Sequence, residues 1–341
     1  MLNITIKYKP YSLLLKNAFT TAKGEIKERK GFLITIKDER GNKGTGDCAP
    51  FPEFGSESYD EAFETIENFN GKLFIDDKNI YKTIRYSLKQ FDNLPALKHG
   101  LEQALVNYYC SKNNVSLNEA LNVKSNKTVN INAAIGFLSP EQTKQKAKQL
   151  IAAGFKTIKL KSGRADFNKD LECIAAVRNL SEEIKIRIDV NGKWSLEEAQ
   201  RHFKELGKFN IEYVEQPVSN IKYFAALKRI TTIQLAADES VRTFTEAIDI
   251  ITNKYADVLI LKPMLLGGIV PLLSICEAAL KNKIKCVVSS SFESVVGHSY
   301  ALFAASTIKG KTAHGLGVSD YFENNLFPNP YPVVNGQIKL G

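Results

Sequence analysis

Five hydrophobic, β-branched runs in the second part of this sequence stop at a charged residue. They end in Lys159-Leu160-Lys161, Asp189-Val190-Asn191, Glu215-Gln216-Pro217, Asp238-Glu239-Ser240 and Lys262-Pro263. Each alone has an ordinary explanation: an Asp after a strand is commonly a helix N-cap, and a Lys there commonly reaches solvent. Together they are harder to place. Three carboxylates on neighbouring elements repel one another unless a cation sits among them. Ligation by carboxylates alone suits a hard ion, Mg²⁺ ahead of Zn²⁺. Asp189, Glu215 and Asp238 are therefore candidate metal ligands, and Lys161 and Lys262 candidate acid–base groups. Histidine offers no competing centre, since His99, His202, His298 and His314 show no metal-ligand spacing.

The elements that must hold these residues follow from the alternation around them. Short β-branched runs at 129–135, 157–160, 184–190, 213–215, 234–238, 257–262 and 284–289, with a weaker one at 312–316, alternate with helical stretches such as Pro140–Ala153 and Leu196–Leu206. This predicts an α/β fold, a TIM-like (β/α)-barrel, whose catalytic groups stand at the C-terminal ends of the strands. Strands two and six face each other across an eight-membered ring, so Lys161 and Lys262 would approach a central substrate from opposite sides. One lysine could take a proton next to a substrate carboxylate. A metal on strands three to five would stabilise the enediolate, and the opposite lysine would return a proton to the other face. An ordinary lysine, with a pKa of about 10.4, is almost fully protonated at neutral pH; nearby positive charge would lower it.

Ahead of the barrel the pattern differs. Ile4–Tyr8 and Phe32–Lys37 read as strands, Gly41-Asn42 as a turn before Lys43–Cys48, and 58–111 as mainly helical. The expected division is an α+β capping domain over 1–125, completed by a turn-rich tail at 321–341, and a barrel over 126–320. A chain of 341 residues accommodates both. It has no apolar run of the roughly 20 residues that a membrane helix needs, and Met1–Lys9 lacks the apolar core of a signal peptide. The expectation is a soluble, cytoplasmic protein with no membrane partner. The five cysteines are odd in number and lack C-x-x-C spacing, which points to reduced thiols. The formal charge of +9 comes from lysines spread along the sequence, and no nucleic-acid-binding motif accompanies it, so no nucleic-acid partner is expected.

These residues resemble the enolase superfamily in its muconate-lactonizing subgroup. The likeness rests on Lys159 and Lys161, Asp189-x-Asn191, Glu215-Gln216-Pro217, Ala237-Asp238-Glu239-Ser240, and Lys262 followed by Gly267-Gly268. It implies a modified (β/α)7β barrel with Mg²⁺ on Asp189, Glu215 and Asp238, Asn191 and Glu239 beside the ligands, and Lys159 holding the substrate carboxylate. It also implies that loops around Thr20–Glu28 and Phe51–Phe54 close the mouth, and it allows a homo-oligomer. Phe19–Gly24 and Ser289–Ser294 look most like dipeptide epimerases, which invert the α-carbon of a dipeptide's C-terminal residue; Ser291 and Phe292 would then contact the substrate. Two departures follow. Gly24 stands where enzymes acting on L-Ala-L-Glu place an arginine. Gly315-Leu316-Gly317 stands where an Asp-x-Asp binds the dipeptide ammonium, leaving Asp320, with Ser319, as a substitute. With no arginine for an acidic side chain, and with Phe19, Phe51, Phe54 and Phe292 nearby, a hydrophobic dipeptide such as L-Ala-L-Xaa is expected. The alternatives are L-Ala-L-Glu epimerase and o-succinylbenzoate synthase, which performs a dehydration on the same scaffold. A Schiff-base lyase using Lys262 is a further one.

Overall fold

The computed structural model describes residues 4–21, 24–318 and 321–340. Alternation of buried and exposed residues makes an antiparallel meander at the N-terminus: β1 (Ile4–Thr21), β2 (Gly24–Asp38) and β3 (Lys43–Cys48). Phe32, Ile34 and Ile36 of β2 are buried. The helix Pro95–Asn113 packs so closely on β3 that a Cβ at Gly44 would overlap the Ala104 carbonyl, and one at Gly46 the Gly100 carbonyl. Within the stretch expected as a loop at Thr20–Glu28, Thr20 and Thr21 pair instead as strand with Glu25 and Gly24. Phe19 pairs with Ile26 and Thr21 with Gly24, beyond an irregularity between Leu14 and Phe19. Strand β1 thus runs well past Tyr8, because a solvated face tolerates the Lys-Pro-Tyr-Ser stretch that hides it from pattern reading.

The barrel follows. After β4 (Thr128–Asn130) come β5 (Ala133–Ile135), β6 (Thr157–Lys161), β7 (Lys185–Asp189), β8 (Ile211–Glu215), β9 (Gln234–Ala237), β10 (Val258–Leu261) and β11 (Lys285–Val288). Strands β5 to β11 form one seven-stranded parallel sheet in sequence order. The weak eighth run closes it by two bridges: His314 pairs with Ile131 and Gly315 with Ser289. The bonds are His314 N–H to the Asn130 carbonyl at 2.7 Å and Gly315 N–H to the Val288 carbonyl at 2.9 Å. This is the expected TIM-like barrel beside an antiparallel N-terminal sheet. Strand β12 (Gln337–Lys339) pairs antiparallel with β4, and Phe322 bridges Leu15 of β1, so the tail touches both halves.

Two barrel helices receive carboxylate acceptors at their N-termini from the other half of the molecule, one in place of a cap and one beside its own cap, Ser294. Glu102 accepts from the amides of Ile269 (2.6 Å) and Val270 (3.3 Å) at the start of Ile269–Lys281. Asp47 accepts from the Ser294 amide (2.8 Å), the N-cap of Val295–Thr307. Carboxylates suit helix N-termini, where amides lack intrahelical acceptors. A Cβ at Gly268 would collide with the Glu102 carboxyl, which accounts for the second glycine of Gly267-Gly268. Gly268 also has φ +135°, a value that favours glycine.

Candidate active site

Every charged residue expected at the rim stands at a strand end. Lys161, Asp189 and Glu215 are the last residues of β6, β7 and β8; Asp238 and Lys262 directly follow β9 and β10. Register sets them side by side, Lys161 beside Asp189 and Asp189 beside Glu215. Since β6 and β10 are the second and sixth strands, Lys161 and Lys262 lie on opposite sides of the mouth. Backbone strain gathers here, as is common where a side chain must be aimed: Asn191, Gln216 and Phe292 all have φ between +39° and +57°.

The side chains form an ionic network on β6 to β8 and a separate ion pair beside it. Lys159 Nζ donates to Asp189 Oδ2 (2.9 Å) and Glu215 Oε1 (3.0 Å). Lys161 Nζ donates to the same Asp189 oxygen (2.8 Å) and to Asn191 Oδ1 (2.6 Å), and Asn191 passes the chain on to Glu239 Oε1 (2.7 Å). Lys262 pairs with Asp238. Asp189 and Glu215 are each 1% exposed. Burial pushes Glu215 up, and the Asp189 charge pushes it further, to about 8. Burial opposes the ionisation of Asp189, but Lys159 and Lys161 prevail and hold it below the usual carboxylate range. For Lys159 and Lys262 burial disfavours the ammonium. Asp189 and Glu215 outweigh it for Lys159, and Asp238 and Glu239 for Lys262, so both are held above the ordinary lysine value.

Among the described residues, no group of three or more His, Cys, Asp or Glu side chains makes a ready metal cage. The reason is visible in the pairing: each of the three carboxylates turns to a lysine. The donor set still suits a hard cation. All its atoms are oxygens, and Asp189 Oδ1 and Glu239 Oε2 are buried without a hydrogen-bond partner.

An apolar cover lies over this array. Leu13, Leu15, Phe51, Phe292 and Phe322 form a cluster of their own, with Phe54 and Tyr321 packed against it. Phe54 lies under the Lys262 ammonium, 5.3 Å from ring centroid to Nζ, and packs against Phe51 at 4.2 Å. Phe51 meets Phe292 edge-on at 6.5 Å, and the Arg29 guanidinium sits 4.0 Å over the Phe51 ring. Arg29 also donates to the carbonyls of Ala49 and Pro50, which fixes the start of this loop. Ser291 is buried beside Phe292, with its Oγ unpartnered. Asp320 and Ser319 lie outside the described residues, as does the side chain of Phe19. The histidines are remote from this chemistry: His99, His298 and His314 are buried, bonded to backbone, and lowered by burial to about 4, 4 and 3. Sequence reasoning left Tyr321 in the tail, whereas its ring packs edge-on against Phe292 at 5.8 Å; its only sequence signal is an aromatic residue directly after Ser319-Asp320.

Known proteins are similar to this chain in sequence and fold. The family model described as Enolase C-terminal domain-like matches residues 142–341, and that of the MenC N-terminal domain matches residues 5–108. The L-Ala-D/L-Glu epimerase of Francisella tularensis subsp. novicida is 28% identical, covering 95% of this chain and 92% of that protein. An o-succinylbenzoate synthase of Thermobifida fusca is 33% identical, covering 62% of this chain and 67% of that protein. The structure of a dipeptide epimerase from Enterococcus faecalis V583, complexed with Mg and the dipeptide L-Leu-L-Tyr, superposes with a TM-score of 0.88 at 26% identity, covering 98% of this chain and 96% of that one.

Proposed function

This chain belongs to the enolase superfamily, and from that premise we propose that it is a Mg²⁺-dependent dipeptide epimerase preferring hydrophobic or aromatic side chains. The observation that carries the proposal is the placement of Lys161 and Lys262 on opposed strands, flanking buried carboxylates beneath a cover of phenylalanines. Lys161 and Lys262 exchange the α-proton of the C-terminal residue, one from each face, so inversion needs no turning of the substrate. Lys159 holds the substrate carboxylate at the barrel wall. Asn191, bonded to Lys161 and Glu239, fixes the Lys161 ammonium in place. Phe51, Phe54 and Phe292 exclude water and offer a surface to an apolar side chain. Mg²⁺ on Asp189, Glu215 and Asp238 would supply the charge that stabilises the enediolate.

The test is α-deuterium uptake in D₂O, read by mass spectrometry with pooled L-Ala-L-Xaa dipeptides, Mg²⁺, and an EDTA control. Metal-dependent exchange confined to apolar or aromatic Xaa is expected. Exchange confined to L-Ala-L-Glu would replace the side-chain preference with an acidic one.

A second reading, o-succinylbenzoate synthase, is favoured by the MenC N-terminal match and by Gly315-Leu316-Gly317 in place of Asp-x-Asp. Dehydration of that enzyme's cyclohexadiene substrate, together with silence toward every dipeptide, would establish it instead.

A further inference from the structure

Successive residues of a strand face opposite sides, and the later barrel strands obey. Ala236, Val258 and Val287 form a cluster with one another, while their neighbours Leu235, Leu259 and Val288 join the core shared with helix residues such as Ile174 and Phe203. The first set therefore points into the barrel. Strand β8 breaks the rule. Ile211 lies in the helix-facing core, yet Tyr213, two residues on, lies in the inner cluster. The register shows how. Ile186 of β7 pairs with Ile211, but the next residue, Arg187, pairs with Tyr213, so Glu212 is one extra residue on β8. Such a bulge re-aims the side chains beyond it. Val214 accordingly falls in the helix-facing core, and Glu215 pairs with Asp189. Without the extra residue, the phase set by Ile211 would turn both Tyr213 and Glu215 toward the helices.

The bulge is held from inside the barrel. Arg187 is 1% exposed and stands two residues before Asp189 on the same face of β7. Its Nε donates to Glu212 Oε2 at 2.6 Å, and its guanidinium lies 4.7 Å over the Tyr213 ring. Nη1 donates to Asn132 Oδ1 (3.1 Å) and to the Ala313 carbonyl (2.8 Å), which anchors it to the walls beside β5 and the closing bridge. A planar guanidinium bound to three acceptors is a rigid clamp, and Glu212 and Tyr213 lie at one end of it.

We infer that Arg187 and Glu212 are positioning residues: by pinning the bulge in β8 they aim Glu215 into the mouth beside Asp189, as a metal ligand must be aimed. This rests on the Mg²⁺ part of the epimerase reading above. Both residues act through Glu215, so their loss shows first in metal affinity.

The experiment is calorimetric titration of Mg²⁺, without dipeptide, into wild type, Arg187→Met, Glu212→Ala and Glu212→Gln, with urea unfolding of each. Arg187→Met is expected to raise the Mg²⁺ Kd by about tenfold or more, the usual cost of losing a group that orients a metal ligand. The sign is diagnostic. Removing a buried cation near the carboxylates would, by Coulomb attraction alone, tighten Mg²⁺ binding. A lower urea midpoint by itself leaves the Kd of the folded protein where it was. Glu212→Ala and Glu212→Gln lose the same charge, but glutamine keeps an oxygen for Arg187 Nε. The alanine variant is therefore expected to bind Mg²⁺ several-fold more weakly than the glutamine variant. A folded Arg187→Met with wild-type or tighter Mg²⁺ binding overturns the inference and leaves the epimerase reading standing. Should that variant not fold, equal Kd values for the two Glu212 variants do the same. A wild type that takes up no Mg²⁺ overturns the metal reading and the inference with it.

Discussion

A lysine that serves as a base on one face of a substrate cannot serve on the other, and this gives the paired lysines a sharp signature. Lys161 stands on the second barrel strand and Lys262 follows the sixth. Replacing either by alanine is expected to lower epimerisation by about 10²-fold or more, in the range for loss of a positioned acid or base. The finer expectation concerns exchange. Each variant keeps a base on one face only, so Lys161→Ala and Lys262→Ala should each exchange the α-proton of one epimer, and of opposite epimers. Mass spectrometry of separately incubated L,L and L,D dipeptides in D₂O reads this directly. Near-normal epimerisation by either variant would exclude the two-base scheme. These residues were readable in advance because barrel topology turns strand ends into neighbours: Asp189 and Glu215 are far apart in sequence but adjacent in register. The packing of Tyr321 on Phe292 was not readable, because Tyr321 follows no strand and is held by tail contacts, the Phe322–Leu15 bridge and the Glu323 amide on the Leu14 carbonyl, that no local pattern announces.

At the level of elements, the helix Ile269–Lys281 depends on a residue 167 positions away, since its own N-cap position, Gly268, has no side chain to offer. Glu102 fills that role from inside the core, 0% exposed, with Tyr300 also donating to Oε1 at 3.2 Å and Oε2 left unpartnered. Burial pushes it up to about 7, against the relief given by the Ile269 and Val270 amides. The unfolded carboxyl titrates near 4.3. The folded state therefore binds the proton more tightly, and Glu102's contribution to stability is complete below about pH 4.3 and is lost as pH rises through about 7. Glu102→Gln keeps an oxygen for the two amides and cannot ionise. Its stability relative to wild type should grow by on the order of 2 kcal/mol between pH 5 and pH 8. Urea unfolding of both proteins at the two pH values measures the gap; parallel pH dependences would rule the argument out. Strands and most helices were legible here through their periodicity, whereas this cap was not. Nothing local distinguishes Glu102 from a surface glutamate in a helix, and Gly267-Gly268 shows its purpose only once the Glu102 carboxyl is seen against the missing Cβ.

At the scale of the molecule, the polar linker at Lys124–Lys127 suggests two units, yet the core runs through both. Phe32, Ile34 and Leu105 before the linker belong to the same buried cluster as Leu259, Leu261 and Leu302 after it. Polar bonds cross at the same place. Gln103 donates to the Val296 carbonyl at 2.8 Å, and Asp47 and Glu102 accept from amides at the N-termini of the two helices. Melting the N-terminal half alone would expose the shared apolar surface, leave the helix Ile269–Lys281 without its cap and remove the Asp47 acceptor from the Ser294 amide, so neither half is favoured to unfold first. A single cooperative transition is therefore expected. Trp194, the only tryptophan, is 5% exposed in the barrel and packs on Phe167 and Phe203, so its fluorescence reports that half alone. Far-ultraviolet circular dichroism reports the whole chain. Guanidinium midpoints from the two signals should coincide, and calorimetric and van't Hoff enthalpies should agree. A fluorescence midpoint displaced from the dichroism midpoint would mean that the capping half opens on its own. The aromatic cover over the lysines would then be a mobile gate, because Phe51 and Phe54 travel with the capping half while Phe292 stays with the barrel.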